Sequence, residues 1–182
     1  LSEELVPQVD PLKVRQVHFY GAGCSITENV DIVKKALVRC FINARVEVGH
    51  DMLGAARALL GDTRGFAAIL GTGSNTCLYD GNQVELNIDS LGYLLGDEGS
   101  GCYIGKKLVR DFMRGYLPPE LESKFRMKYG VTNADIFNTL YNKPMPNRFL
   151  AGFCLFADEN KTHPHIRVIV EQSFTDFFRN LV

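Results

Sequence analysis

Val14 to Tyr20 (VRQVHFY) is short, β-rich and followed by Gly21-Ala22-Gly23, a pattern that predicts a buried strand ending in a tight turn. Apolar residues then recur at helical spacing at Val30, Val33, Ala36, Leu37, Cys40 and Phe41, with Thr27 placed as an N-cap. Val46 and Val48 predict a second strand, and Met52 to Leu60 a second helix with Gly61 as its C-terminal stop. Parallel strands need helical crossovers, so this β-α-β-α alternation argues for a layered α/β fold with parallel pairing. From Gly65 onward FAAIL, NTCLYD and QVELNI predict two or three antiparallel strands, with Asp80-Gly81 marking a hairpin. The helical period returns after Gly101 through Tyr103, Ile104, Lys107, Leu108, Phe112 and Met113, and ends near Gly115 and Pro118-Pro119. Helices are predicted over 119–129, 133–142, 147–158 and 165–181, with Lys-Pro-Met-Pro at 143–146 as a breaker. A boundary is expected near 115–120.

Composition narrows the classes. The chain has 182 residues, with 20 Lys+Arg against 21 Asp+Glu and a formal charge of −1, so no large single-signed field marks it for nucleic acid or for an acidic membrane surface. With 46% hydrophobic and 23% charged residues it has globular composition. No apolar run is long enough to span a bilayer. Leu1 to Asp10 carries neither a basic start nor an apolar stretch, against a secretory signal. The leucine at position 1 is expected of a processed or excised piece.

The cysteines stand at 24, 40, 77, 102 and 154, an odd number at long gaps without a C-x-x-C pair. That pattern indicates neither a disulfide framework nor a zinc site; reduced cytoplasmic thiols, each a small buried hydrophobe, are expected. The histidines at 18, 50, 163 and 165 show no metal-ligand spacing, and His163 and His165 flank Pro164 in an expected loop.

Three stretches carry candidate chemistry. Gly71-Thr72-Gly73-Ser74 lies between two predicted strands; its glycines let the backbone approach a ligand, and its amides and hydroxyls suit phosphate oxygens, although the same four residues also make an ordinary hairpin turn. Gly96-Asp97-Glu98-Gly99-Ser100-Gly101 precedes a predicted helix, where Asp97 or Ser100 serves as a cap or, alternatively, Asp97 accepts hydrogen bonds from paired sugar hydroxyls. Asp51 stands where a strand ends and a helix begins, a place for a general base or, equally, for a capping residue.

In their order and on these elements, the three stretches resemble the sugar-kinase branch of the actin-like ATPase superfamily, and within it the BadF/BadG/BcrA/BcrD ATPase family, which includes N-acetylglucosamine kinases. The resemblance runs from FYGAGC through VGHDMLGAARALLG, AAILGTGSNTCLYDG and LGYLLGDEGSG into NRFLA at 147–151. It implies ribonuclease H-like domains, each a mixed sheet flanked by helices, with a helical C-terminal part. Residues 1–50 would end the first such domain, 51–118 form the core of the second with the phosphate and sugar loops, and 119–182 form the helical segment.

The resemblance also implies roles. Asp51 would be the catalytic base that takes a proton from a sugar hydroxyl attacking ATP. Gly71, Thr72, Gly73 and Ser74 would form the second phosphate-binding loop, with Ser74 and Asn75 near the acetamido group. Asp97 would hold sugar hydroxyls. The family's Gly-Trp-Gly is Leu91-Gly92-Tyr93 here, so Tyr93 would be the aromatic wall on the sugar. Gly21-Ala22-Gly23 matches a turn near the cleft. Mg²⁺ would come with ATP, without a dedicated ligand cluster. The family's first phosphate loop and adenosine turn have no counterpart here, so the chain is expected to be the middle of a longer kinase and, alone, to have little activity.

Two other readings stand beside the amino-sugar kinase. One is an ATP-driven activator of an acyl-CoA dehydratase or reductase, which needs clustered cysteines for an iron–sulfur centre. The other is a non-catalytic sugar-binding regulator, which would retain Asp97 without needing Asp51. The apolar periodicity of 119–182 suits either a homodimer surface or an internal core.

Overall fold

The computed structural model describes residues 9–182. Residues 1–8, most of the stretch considered for a secretory signal, lie outside the described residues. The chain forms two compact units: one contains the residues up to Ala67 and Cys77–Leu86, the other Ala68–Thr76 and Asn87–Val182. No helix among the described residues is long and apolar enough to cross a membrane.

In the first unit, β1 (Gln16–Gly21), α1 (Thr27–Cys40), β2 (Arg45–His50) and α2 (Asp51–Leu60) follow one another as the alternation predicts. The two strands are parallel, with Gln16 opposite Arg45 and Gly21 opposite His50. Strand side chains alternate between faces; Val17, Phe19, Val46 and Val48 therefore share one face, packed with Leu37 and Phe41 of the α1 segment. Tyr20, one residue out of that phase, takes a 2.6 Å hydrogen bond at its hydroxyl from Arg57 of α2.

Helix α1 starts at Thr27 itself: Ile26 is in the cap position and no side chain caps the helix. The expected Thr27 cap is thus displaced by one residue, and the Asn29 amide instead ties the preceding turn by donating to the Gly23 carbonyl at 2.9 Å. Gly61 ends α2 as predicted.

Strands β3 (Gly65–Leu70), β4 (Ser74–Tyr79) and β5 (Val84–Ile88) form a sheet in that order. Connections this short join strands only in antiparallel fashion. At the second turn the Asp80 carboxylate accepts from the amides of Asn82 (2.7 Å) and Gln83 (2.8 Å), which holds its pKa below the usual carboxylate range, and Gly81 takes φ 103°.

The second unit is chiefly helical. The short α3 (Gly92–Leu95) precedes α4 (Gly101–Met113), followed by α5 (Pro119–Tyr129), α6 (Asn133–Asn142), α7 (Pro146–Gly152), α8 (Cys154–Glu159) and α9 (Pro164–Leu181). Helix α4 is the spine, with α7, α8 and α9 packed on it. At Gly105 the α7 backbone comes so near that any Cβ there would collide with the Leu150 carbonyl, so the two helices touch through main chain. One apolar core runs from Cys102 to Ile169, taking in Leu117, Leu121 and Phe125.

The helix expected over 147–158 is two helices. Phe153 donates to Leu150 and Phe156 to Phe153, both i to i−3 bonds, so one tight turn interrupts the ladder while the Phe153 ring remains in the core. The loop expected around Pro164 is instead a helix start. His163 caps α9, its Nδ1 accepting from the His165 amide at 3.1 Å. The ring Nε2 atoms pair with Glu120 (2.9 Å) and Asp111 (3.1 Å) respectively. All five cysteines are free; Cys24, Cys77 and Cys102 are buried, whereas Cys40 and Cys154 are half-buried.

Phe125 is fully buried and its ring lies 4.4 Å from Phe112, 4.8 Å from Tyr129 and 5.3 Å from both Phe153 and Phe156, centroid to centroid. Phe125→Ala is therefore expected to lower unfolding free energy by about 3–5 kcal/mol, and Phe125→Leu by well under half of that, as read from urea denaturation.

Candidate functional site

The glycine-rich turn joining β3 to β4 closes on itself and then docks on a helix. The Gly71 amide donates to the Gly73 carbonyl at 2.9 Å, while the carbonyls of Gly71 and Thr72 accept from the amides of Gly101 (2.9 Å) and Cys102 (3.0 Å). A helix start leaves its first amides without intrahelical partners; in α4 the turn takes two of them. Ser100 takes the third, its Oγ accepting from the Tyr103 amide at 3.1 Å. Of the two cap candidates in this loop, Ser100 is the cap, which leaves the Asp97 side chain for other work.

Asp97 is buried and sits at φ 59°, a left-handed conformation that Asp tolerates better than most residues. The loop holds it there through its own main chain: the Asp97 amide donates to the Ser90 carbonyl at 2.8 Å, and its carbonyl accepts from Ser100 at 3.1 Å. Its Oδ1 accepts from the Ser74 amide at 3.2 Å. The carboxylate comes within 2.8 Å of where a Cβ on Gly73 would be, so only glycine at 73 admits this approach. Neighbouring Glu98 is turned to α9, accepting from Asn180 at 2.9 Å.

Two polar features of the turn remain unused. Among the described residues the amides of Thr72 and Gly73 have no hydrogen-bond acceptor, and consecutive free amides in a glycine-rich turn suit an anion. The Ser74 Oγ is buried without a partner, a cost of about 1–3 kcal/mol unless a ligand or water meets it. Asn75 is half-buried, with its Oδ1 accepting from the Thr76 amide at 2.9 Å. Tyr93, on α3, packs against the helical core, and its carbonyl accepts from Lys106 Nζ at 2.9 Å.

Asp51 belongs to the first unit and is the first residue of α2. The cap there is His50, whose Nδ1 accepts from the Leu53 amide at 3.3 Å. Asp51 Oδ1 accepts from the adjacent Met52 amide at 2.9 Å, and its second oxygen has no partner among the described residues. Thus the structure brings together Gly71, Thr72, Gly73, Ser74, Asn75 and Asp97 within the second unit, and presents Asp51 in the first. Sequence reasoning missed the Ser90 carbonyl that holds Asp97 and the histidine cap beside Asp51. Neither carried a signal, because a carbonyl acceptor has no residue preference and histidine is a rare cap.

Among the described residues no three His, Cys, Asp or Glu side chains are grouped as metal ligands. Cys102, second in α4, lies beside the turn; burial pushes its thiol up to about 11, with the Lys106 charge opposing and that of Asp97 adding.

No protein-family model and no curated protein matches the chain. Solved structures do: two crystal structures, both of proteins named putative N-acetylglucosamine kinase, are similar to it. The one from Porphyromonas gingivalis is 44% identical with a TM-score of 0.93, over 99% of this chain and 64% of that one. The one from Chromobacterium violaceum is 22% identical with a TM-score of 0.56, over 75% and 49% of the two chains, and bears on the fold alone. The chain has the fold of the Porphyromonas protein. It spans 64% of that protein's length, with mixed α/β structure in which helices pack on small sheets.

Gly73→Val is expected to expel the Asp97 carboxylate from the turn and to lower thermal stability by about 1–3 kcal/mol, the cost of unpairing the Ser74 amide; Asp97→Asn, which keeps an acceptor there, should cost less. A buried thiol that ionises near 11 should also resist a thiol-specific reagent at pH 8. Mass spectrometry should find Cys102 the slower to label and Cys40 the faster, with Cys102 labelling rising as pH approaches 11.

Proposed function

We propose that the chain is the central part of an ATP-dependent kinase that phosphorylates an amino sugar, N-acetylglucosamine first among the candidates. What carries the reading is the joining of a glycine-rich turn with two free amides to a buried carboxylate, beside the unpartnered Ser74 hydroxyl. The name of the similar Porphyromonas gingivalis protein supports it. In this reading the chain is a relative of the BadF/BadG/BcrA/BcrD family on a ribonuclease H-like scaffold. Its segments 1–50, 51–118 and 119–182 would then be the end of one domain, the site-bearing core of the next and a helical part. The free cysteines suit a reducing cytoplasm.

Each residue then has a chemical task. The amides of Thr72 and Gly73 donate to phosphate oxygens of ATP, whose negative charge needs fixed donors rather than a covalent partner. Asp97 accepts from sugar hydroxyls through the oxygen left over from its bond to Ser74, and Ser74 Oγ with Asn75 recognises the acetamido group. Tyr93 offers an aromatic face to the ring. Asp51 takes the proton of the attacking hydroxyl as its oxygen bonds to the γ-phosphorus and ADP leaves. Mg²⁺, carried on the ATP phosphates, would supply charge neutralisation. Most of the acceleration would come from holding acceptor and phosphoryl group in line.

The test is coupled ADP release by the protein at its full natural length, with N-acetylglucosamine, glucosamine, N-acetylmannosamine and glucose compared. N-acetylglucosamine should give the highest kcat/KM; ADP release indifferent to sugar would overturn the reading. Asp51→Asn should retain sugar binding by calorimetry and lose about 10²–10⁴ in turnover. Near-normal turnover in that variant would remove Asp51 from the role of base.

A further inference from the structure

A second feature of the helical unit lies outside the turn and its carboxylate. Between α4 and α6 runs an open groove of about 610 Å³. Its α4 side carries Lys106, Arg110 and Arg114, and its α6 side Phe137, Leu140 and Tyr141. No aspartate or glutamate lines it.

The cations are four residues apart, so they form one row along a helix face, about 12 Å from first to last. Arg110 is engaged by Asp111, but among the described residues Lys106 and Arg114 meet no carboxylate within ion-pair distance. The opposite wall is apolar yet uncovered: Phe137 is 52% and Tyr141 78% exposed, their rings stacked 6.1 Å apart. Uncovered aromatic surface beside a cation row whose two end members have no carboxylate partner is the anatomy of a binding face rather than of a solvated one.

We propose that this groove docks an amphipathic helix of a partner protein. Its apolar stripe would face Phe137, Leu140 and Tyr141, and its acidic edge, with carboxylates four residues apart, would meet Lys106, Arg110 and Arg114. Two helices form a natural trough for a third, and only an occupant that repeats its negative charge at helical spacing answers the whole row. A small anion would satisfy one cation and leave Tyr141 in water. The proposal is independent of the kinase reading, since Tyr93 is the only residue that the groove shares with the proposed sugar site.

The probe is a fluorescein-labelled peptide of about four helical turns, with leucines on one stripe and glutamates at i, i+4 and i+8 on its edge, beside the same peptide with lysines for glutamates. Fluorescence anisotropy should show saturable one-to-one binding of the glutamate peptide that weakens as salt rises from about 0.05 M to about 0.5 M. Arg114→Glu should weaken the glutamate peptide about fivefold and strengthen the lysine peptide by a similar factor, a reversal that loss of folding cannot mimic. Equal affinity for the two peptides, salt-independent binding or no binding would overturn the proposal. So would a self-association, seen by sedimentation at the same concentrations, that the peptide does not displace, because the groove would then belong to a second copy.

Discussion

Two amides at the start of α4 hold the candidate site in register. A helix start must give its first donors to something, and here Gly101 and Cys102 give theirs to the carbonyls of the 71–74 turn. Each such bond is worth only about 0.5–1.5 kcal/mol when made, but leaving a buried group unpaired costs more. The turn and the helix therefore complete each other, and neither keeps its conformation at low cost without the other. Asp97, in the loop just before α4, inherits this alignment: its carboxylate reaches Ser74 because the turn is already fixed to the helix.

The helix that anchors the turn is itself fixed by main-chain contact. Gly105 lets α7 approach to the point where its Leu150 carbonyl lies against the α4 backbone, and the aromatic cluster around Phe125 fills the space beyond. A site loop resting on such a core is built on close-packed structure. This suits a function in which sub-ångström placement of a carboxylate matters.

How much of this could be read in advance follows from which forces are local. The two parallel strands, the Asp80-Gly81 hairpin and the helices at 119–129 and 133–142 were legible because periodicity and turn chemistry act over a few residues. Thr27, His50 and the break at Phe153 were not, because helix ends shift by a residue at small cost and the core decides where the ladder gives way. In the site, residue types were legible and their partners were not. Ser74 and Asp97 are 23 positions apart, and nothing in either stretch encodes that an amide of one meets the carboxylate of the other. The histidines at 163 and 165 repeat the lesson: a proline between them signals a loop locally, whereas the acids at 120 and 111 that they meet belong to remote helices.

The division of the chain has a consequence of its own. Ownership passes from one unit to the other after Ala67, back after Thr76 and over again after Leu86, and these changes fall within or beside strands rather than in linkers. Neither unit is a continuous length of polypeptide. No single peptide-bond cleavage or terminal deletion can release one of them whole and alone, and a ribosome has made Ala68–Thr76 of the second unit before the first unit has all its residues. The natural module for expression, for swapping between relatives and for evolutionary exchange is thus the pair, and never either half.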